Sequence, residues 1–159
     1  MTIAIYPGSF DPFTIGHLDI LKSGSEIFDK IIIAVAYNEN KKGFLSITER
    51  VDLIKKSVSH LKNVEVDTFQ GLTVDYAKKK NADVLLRGLR TSFDFEYELH
   101  LSQTNNMLNK DLKTVFLITK PEYSFISSSM VREILANNGD ISNFVPEAVY
   151  EYLITNCDI

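Results

Sequence analysis

The sequence has little cysteine and proline, and no tryptophan. A single cysteine, Cys157, excludes an internal disulfide and a cysteine cluster for zinc or iron–sulfur binding, so we expect it to be inert. No linker rich in proline, glycine or serine interrupts the chain. No apolar run approaches the roughly 18 residues that span a bilayer, and the first six residues lack the charged start of a signal peptide. These absences predict a cytosolic protein with no membrane partner.

Composition and charge are those of an ordinary globular protein. The 159 residues are 45% hydrophobic and 24% charged, and this length predicts one domain, residues 1–159, with a proper core. The net charge of -4 provides no general attraction to nucleic acid. We therefore expect no nucleic-acid partner, and any bound phosphate would need a local cluster of donors.

Five apolar runs of strand length alternate with segments of helical spacing. Uninterrupted apolar strands are typical of a sheet that is buried on both faces, and alternation with helices implies parallel strands. The pattern predicts an α/β fold, a Rossmann-like doubly wound five-stranded parallel sheet with helices on both faces. The predicted strands are residues 3–6, 31–36, 64–69, 84–86 and 115–118. Helical spacing appears at Leu18, Leu21, Ile27 and Phe28, at Val51, Ile54, Lys55 and Val58, and at Phe95, Leu99 and Leu108.

Local signals mark where helices begin and end. The segment from Ser46 to Glu49 is a capping box, which predicts a helix start. Pro146 followed by Glu147 suits the first turn of a final helix. Asn138 with Gly139 predicts the end of the preceding helix.

The loop after the first strand has the features of a phosphate cradle. It contains glycines, hydroxyls at Ser9 and Thr14, and His17 at the start of a helix, where free N–H groups favour anions. It is neither a Walker loop nor the G-x-G-x-x-G fingerprint. An isolated histidine at this position would more often cap or pack, but the neighbouring residues favour binding. We interpret Asp11 as a turn former and give it no catalytic role.

Two arginines lie where the fourth strand ends. Arg87 and Arg90 flank Gly88, and guanidinium forks suit phosphate oxygens. The alternative is that one of them neutralises an acid of the following helix, Asp94, Glu96 or Glu98. That alternative is plausible for either arginine alone and less so for both.

Further candidates follow the fifth and second strands. Three serines, 127–129, precede Arg132 and predict a second anion site at a helix start, with a redundant cap and a solvated arginine as the alternative. Lys41 and Lys42 follow the second strand, where a solvated pair is the commoner arrangement and neutralisation of a phosphorylated substrate the functional one. His60 and His100 sit in helix-like stretches and are interpreted as structural or surface residues.

Together these segments resemble the phosphopantetheine adenylyltransferases, which transfer AMP from ATP to 4′-phosphopantetheine. The signature Thr14-x-Gly16-His17 alone marks only the wider nucleotidyltransferase superfamily. The choice within it rests on residues 6–12, 87–90, 94–98 and 123–129. Three places depart from the family pattern: Ser9 stands where threonine is frequent, Thr73 where an apolar residue is frequent, and residues 91–93 differ.

The resemblance implies roles for particular residues. His17 would be catalytic by stabilising the transition state. Ser9, Lys41, Leu72, Thr73 and Arg87 would bind the phosphopantetheine substrate. ATP would be bound by Ser9, Phe10, His17, Gly88, Leu89, Arg90, Glu98, Tyr123, Ser124, Phe125, Ile126, Ser127, Ser128 and Ser129. The resemblance also implies Mg²⁺ with ATP, a homohexamer and feedback inhibition by coenzyme A, while no dedicated metal ligands are expected.

The expected reaction needs no general base, because the attacking phosphate of phosphopantetheine is already an anion. We expect direct in-line attack on ATP without a covalent enzyme intermediate, driven by positioning and charge stabilisation. Two alternatives stay open. Adenylyl transfer to nicotinamide mononucleotide is suggested by Ile126, Ser127, Ser129 and Arg132, which mimic a pattern of that family, while the block from Arg87 to Glu98 and the short chain stand against it. A noncatalytic nucleotide-binding module that senses ATP would not need His17.

Overall fold

The computed structural model describes residues 1–156 and is built on a parallel sheet of order β3-β2-β1-β4-β5. Each neighbouring pair of strands is parallel. The predicted α/β doubly wound sheet is therefore confirmed, and Cys157 lies outside the described residues. The strands are β1 (Ile3–Gly8), β2 (Lys30–Ala36), β3 (Val64–Phe69), β4 (Val84–Leu89) and β5 (Lys113–Ile118).

Six helices in the described residues connect and follow these strands. They are α1 (Ile15–Ser25), α2 (Ile47–Ser57), α3 (Thr73–Lys79), α4 (Ser92–Leu108), α5 (Ser128–Ala136) and α6 (Glu147–Asn156), with a 3-10 turn at Pro121–Tyr123. Among residues 1–156, no helix is long and apolar enough to cross a membrane.

Two helices differ from what the sequence patterns predicted. The helical spacing continued to Ile27 and Phe28, but α1 ends at Ser25; Ile27 is 60% exposed, and Phe28 packs into the core from beyond the helix. The sequence analysis missed α3, which has seven residues and no side-chain hydrogen bond at its N-cap, Leu72. Short helices without a cap signal leave little for a pattern to detect.

The hydrophobic core has two layers, one on each face of the sheet. In β2, Ile31, Ile33 and Val35 pack into one layer, and Ile32 and Ala34 pack into the other. This alternation follows from the pleat, which points successive side chains to opposite faces. Because both faces are covered at the centre of the sheet, β2 is apolar from Ile31 to Ala36, as the sequence pattern indicated, whereas the edge strand β3 carries Glu65 and Asp67.

The order of the strands creates a crevice beside β1. The chain runs outward through β2 to β3 and then returns to place β4 on the other side of β1. The loops that follow β1 and β4 therefore lead away from each other at the carboxyl edge of the sheet. In open parallel sheets this switch point is where ligands bind.

The predicted helix ends are found close to their signals. Ser46 caps α2, since its Oγ accepts from the N–H of Glu49 at 3.2 Å and Glu49 Oε2 accepts from the N–H of Ser46 at 2.6 Å. Hydrogen bonds from Ser46 and Tyr152 lower the pKa of Glu49. Helix α5 ends at Ala136, and Asn138 follows in the left-handed region with φ 59°.

The capping box provides a test of local stability. Replacement of Ser46 by alanine leaves the Glu49 N–H without its acceptor, so the free energy of unfolding should fall by about 1 kcal/mol in urea titrations. Thr48→Ala is the matched control, because Thr48 is exposed in the same turn and lacks a capping role, and it should change stability by less than about 0.5 kcal/mol. Equal losses in the two variants would contradict the capping role.

Candidate active site

A cavity of about 340 Å³ lies at the carboxyl ends of β1 and β4. Its walls come from the loop after β1, the start of α1, the end of β4, the start of α4 and the loop after β5. Ten residues that the sequence analysis placed in the site line it: Ser9, Phe10, His17, Arg87, Gly88, Arg90, Glu98, Ile126, Ser127 and Ser128. The crevice beside β1 is therefore the candidate active site.

His17 is held at the start of α1 by a capping box with Thr14. The N–H of His17 donates to Thr14 Oγ1 at 3.4 Å, and the N–H of Thr14 donates to His17 Nδ1 at 3.0 Å. Because Nδ1 accepts a hydrogen bond, the proton of the neutral ring is on Nε2. The local helix-start geometry thus selects the tautomer that can donate from Nε2.

The surroundings of His17 keep its ring neutral. Burial, together with the charges of Arg90 and Arg87, lowers the pKa of His17 to about 4. The ring stacks on Phe13 at 5.6 Å between centroids and meets Phe10 edge-on at 5.0 Å. At neutral pH the ring is an oriented, uncharged hydrogen-bond donor in the cavity wall.

Arg87 is pinned in the cavity by a two-point contact with Glu98. Its Nε and Nη2 donate to the two carboxylate oxygens, the first at 2.7 Å, and Nη1 donates to the backbone oxygen of Pro7 at 2.9 Å. Burial disfavours the charged guanidinium, but the hydrogen bonds and charge of Glu98 outweigh it and raise the pKa of Arg87. Arg87 lies within β4 rather than beyond it, so its backbone is also fixed by the sheet.

Arg90 is paired in the same way, directly after the end of β4. Its Nε and Nη2 donate to the carboxylate of Asp94 at 3.1 and 3.2 Å, and Nη1 donates to the backbone oxygen of Ile126 at 3.1 Å. Burial opposes ionisation of Asp94, yet the bonds from Arg90 lower its pKa. Both arginines thus have acidic partners, which the sequence analysis had judged the less plausible outcome. Each still has two of its five N–H donors unused by the described residues.

The serines after β5 divide their roles. Ser127 caps α5 by accepting from the N–H of Met130 at 3.1 Å. Ser128 donates to the backbone oxygen of Pro12 at 2.7 Å, and Ser129 accepts from Arg132 at 3.2 Å. The cap interpretation therefore holds for Ser127, while Ser128 ties α5 to the loop after β1.

The remaining residues expected to bind substrate lie outside this cavity. Lys41 is exposed in the loop after β2, and Leu72, 56% exposed, and Thr73 follow β3 at the start of α3. They occupy the β2–β3 half of the carboxyl edge, whereas the cavity occupies the β1–β4–β5 half, with Ser9 between the two. The cavity walls also exclude Leu89, Tyr123, Ser124, Phe125 and Ser129.

The structure shows roles for three positions that the sequence had not indicated. Thr119 lines the cavity directly after β5, where the strand-end rule would have found it. Gly88 is required by packing, because a Cβ there would lie 2.9 Å from Ile20 Cγ1 of α1. Asp11 makes a long-range contact and accepts from the backbone N–H groups of Phe44 and Leu45 at 2.7 and 2.8 Å.

The carboxylates of the cavity are not arranged as a metal cage. Asp94 and Glu98 are both engaged by arginines. Across residues 1–156 there is no group of three or more histidine, cysteine or acidic side chains that could hold an ion. This donor set fits a metal that is carried by phosphate oxygens and water.

Comparison with known proteins places this chain among nucleotidyltransferases. Residues 5–134 match the family model described as cytidylyltransferase-like. A phosphopantetheine adenylyltransferase from Thermosynechococcus vestitus is 52% identical over 147 residues, covering 92% of this chain and 88% of the relative. Another from Clostridium botulinum is 49% identical over 159 residues, covering all of both chains.

A solved structure matches the fold over nearly its whole length. It is from Vibrio parahaemolyticus, is assigned as a nicotinate-nucleotide adenylyltransferase, and has a TM-score of 0.75 at 21% identity. The superposition covers 98% of this chain and 93% of that one. At this identity the likeness shows the shared fold and does not select an acceptor.

The buried position of His17 predicts its titration. The pKa of the His17 ring, followed by NMR in the protein without ligands, should be about 4, with His17→Asn identifying the resonance. Because the unfolded chain takes up this proton at the usual value of about 6.5, His17 should lower the free energy of unfolding as the pH falls from about 6.5 to 4. The wild type should therefore lose more stability than His17→Asn across that window. A resonance that titrates near 6.5 would contradict the burial argument.

Proposed function

Because the chain belongs to the phosphopantetheine adenylyltransferases, within the cytidylyltransferase-like family, we propose that it transfers AMP from ATP to 4′-phosphopantetheine, forming dephospho-coenzyme A and pyrophosphate. The observation that carries the proposal is the neutral His17, whose Nε2–H lies in the same cavity as Arg87 and Arg90. A neutral donor in the same cavity as two guanidiniums suits a phosphate group on which negative charge increases during the reaction.

The proposed mechanism is direct in-line attack without a covalent enzyme intermediate. A phosphate oxygen of phosphopantetheine forms a bond to the α-phosphorus of ATP, and the bond to the bridging oxygen breaks and releases pyrophosphate. His17 Nε2 donates to an α-phosphate oxygen, while Arg90 and the N-terminus of α5, with Ser127 and Ser128, hold the β- and γ-phosphates. The nucleophile is already an anion, so no base is required.

The two halves of the carboxyl edge suggest where each substrate binds. ATP occupies the cavity between β1, β4 and α5, with Phe10, Gly88 and Glu98 in its walls. Phosphopantetheine approaches from the β2–β3 half, where Lys41, Leu72 and Thr73 follow their strands. Ser9 follows β1, where the two halves meet, and Arg87 reaches β1 through its hydrogen bond to the oxygen of Pro7, which suits contact with the attacking phosphate.

We propose that Mg²⁺ enters with ATP rather than as a resident metal. The acids of the cavity are paired with arginines, so the ion would be held by triphosphate oxygens and water. When bound, it neutralises charge on the β- and γ-phosphates.

We further propose that the subunits assemble, as a homohexamer by family resemblance, through the face formed by α4 and β5. Phe93, Met107 and Ile118 are each at least 80% exposed there. Phe95 of α4 contacts Phe116 of β5 at 6.0 Å between rings, so the two elements form one surface. Apolar side chains exposed at this level are typical of an interaction face. Feedback inhibition by coenzyme A and a cytoplasmic location are parts of the same proposal.

The acceptor can be determined directly. We expect pyrophosphate release from ATP and Mg²⁺ when 4′-phosphopantetheine is present, and none when nicotinamide mononucleotide replaces it. Both acceptors carry a phosphate nucleophile, so the choice between them depends on the residues of the β2–β3 half, Lys41, Leu72 and Thr73, where phosphopantetheine is proposed to bind. Release only with nicotinamide mononucleotide would support that rival acceptor, and release with neither would support the noncatalytic sensor.

His17 separates an enzyme from a nucleotide sensor. His17→Ala removes the Nε2–H donor, and kcat should fall by about 100-fold or more, while calorimetry should show ATP affinity changed much less. His60→Ala is the matched control, because His60 is exposed after α2 and far along the chain from the cavity. An unchanged kcat in His17→Ala would contradict the mechanism.

A further inference from the structure

A buried arginine lies beneath the loop after β1, outside the walls of the cavity. Arg50 belongs to α2 and is 8% exposed. Its Nη1 donates to the backbone oxygens of Ser9 at 2.8 Å and Ala36 at 3.3 Å. These two oxygens belong to the segments in which the chain leaves β1 and β2. Helix α2 therefore holds both loops through a single guanidinium.

The charge of Arg50 is not explained by the stability of the fold. None of the ion pairs among residues 1–156 includes Arg50, and its Nε is buried without a hydrogen-bond partner. Burial of a charge without an oppositely charged partner is costly. An apolar side chain of similar volume often gives equal stability at such a position. A guanidinium at this position therefore points to an effect on the backbone groups that it contacts.

One of those backbone groups is in an uncommon conformation. The oxygen of Ser9 belongs to the peptide group that joins Ser9 to Phe10, and Phe10 has φ 49°. A bulky residue in this left-handed region is costly and needs support from its surroundings. The Phe10 ring is 2% exposed and meets the ring of His17 at 5.0 Å, so this peptide group is linked to the position of His17.

The orientation of this peptide group has a consequence for the cavity. The C=O and N–H of a trans peptide point in opposite directions, so the Phe10 N–H points away from Arg50. Within residues 1–156 this N–H has no acceptor. Ser9 and Phe10 both line the cavity. A cationic donor on the carbonyl also polarises the amide and strengthens its N–H as a donor.

A second contact joins the loop after β1 to the loop after β2. Asp11 accepts from the N–H groups of Phe44 and Leu45, and Gly43 leaves no room for a side chain, since a Cβ there would lie 2.9 Å from Asp11 Oδ2. The same Cβ would lie 3.5 Å from Arg50 Nη2, so the guanidinium packs against this junction. The position of the Ser9–Phe10 peptide is thus fixed from α2.

We propose that Arg50 is a positioning residue for adenylyl transfer, which holds and polarises the Ser9–Phe10 peptide so that the Phe10 N–H donates to a phosphate oxygen of ATP. This inference rests on the proposed function for the identity of the ligand. Arg50 itself does not touch the reacting atoms. It acts through the backbone of Phe10, beside the donor that His17 supplies.

An NMR experiment tests the amide without depending on the acceptor. The full chain is labelled with ¹⁵N-phenylalanine, which gives ten amide signals, and Phe10→Leu assigns the signal of Phe10. Addition of ATP and Mg²⁺ should move the Phe10 amide proton downfield in the wild type, and this shift should be lost or strongly reduced in Arg50→Met. A Phe10 signal that stays in place while others move, or that moves equally in both proteins, would overturn the inference. A spectrum with no response anywhere would overturn ATP binding and with it the proposed function.

Kinetics then distinguish positioning from folding. Arg50→Met should lower kcat by about 100-fold with a much smaller change in the KM for ATP, because misplacement of a transition-state donor affects turnover. Arg50→Lys, which keeps the charge and the donors of a single nitrogen, should recover part of kcat, and it also serves if Arg50→Met does not fold. Ser57→Ala is the matched control, since it removes a buried hydrogen bond of 2.7 Å from the same helix and should leave kcat close to that of the wild type.

A double variant of Arg50 and His17 tests whether the two residues act on the same step. In the His17→Ala background, Arg50→Met should cause a much smaller further loss of kcat, because both residues act on the same developing charge. Melting temperatures are measured for every variant. A kcat loss that is fully additive with His17→Ala, or that follows the melting temperature across Arg50→Met, Arg50→Lys and Ser57→Ala, would show a structural role alone and contradict the proposal.

Discussion

The burial of both faces of the sheet determines where this protein can do chemistry. Side chains along β1 and β2 alternate between two apolar layers, so the strand interiors offer few positions for polar groups. Polar residues gather instead where the strands end, in the loops after β1, β4 and β5. Because the strand order reverses beside β1, the loops separate there and the cavity opens between them.

Within the cavity, the charged groups are oriented before any ligand arrives. Glu98 fixes Arg87 and Asp94 fixes Arg90, so each guanidinium has a defined plane while keeping free N–H donors. The same two positive charges help to keep His17 neutral, which makes it a donor of fixed tautomer. Such preorganisation suits a reaction whose catalysis depends on positioning and charge stabilisation rather than on proton transfer.

The loop after β1 is held from several directions, and these contacts connect the two halves of the edge. Arg50 and the Asp11 contact with Phe44 and Leu45 tie it to α2 and the loop after β2. On the other side, Ser128 and Arg132 of α5 bond to the oxygens of Pro12 and Asp11. The loop thus lies between the elements expected to hold the two substrates. A shift in any of these elements would change the position of His17.

Local patterns in the sequence determined the strands, most of the helices and their caps, because these depend on neighbouring residues. For example, β3 covers the predicted residues 64–69, and Ser46 caps α2 as expected. They also placed His17, Arg87 and the serines at strand ends, since the carboxyl-edge rule needs only the order of elements along the chain. Tertiary structure alone decided that both arginines have acidic partners, that burial lowers the pKa of His17, and that Arg50 of α2 reaches Ser9. Those outcomes depend on distances between segments far apart in sequence and on the exclusion of water by packing, and no local pattern specifies either.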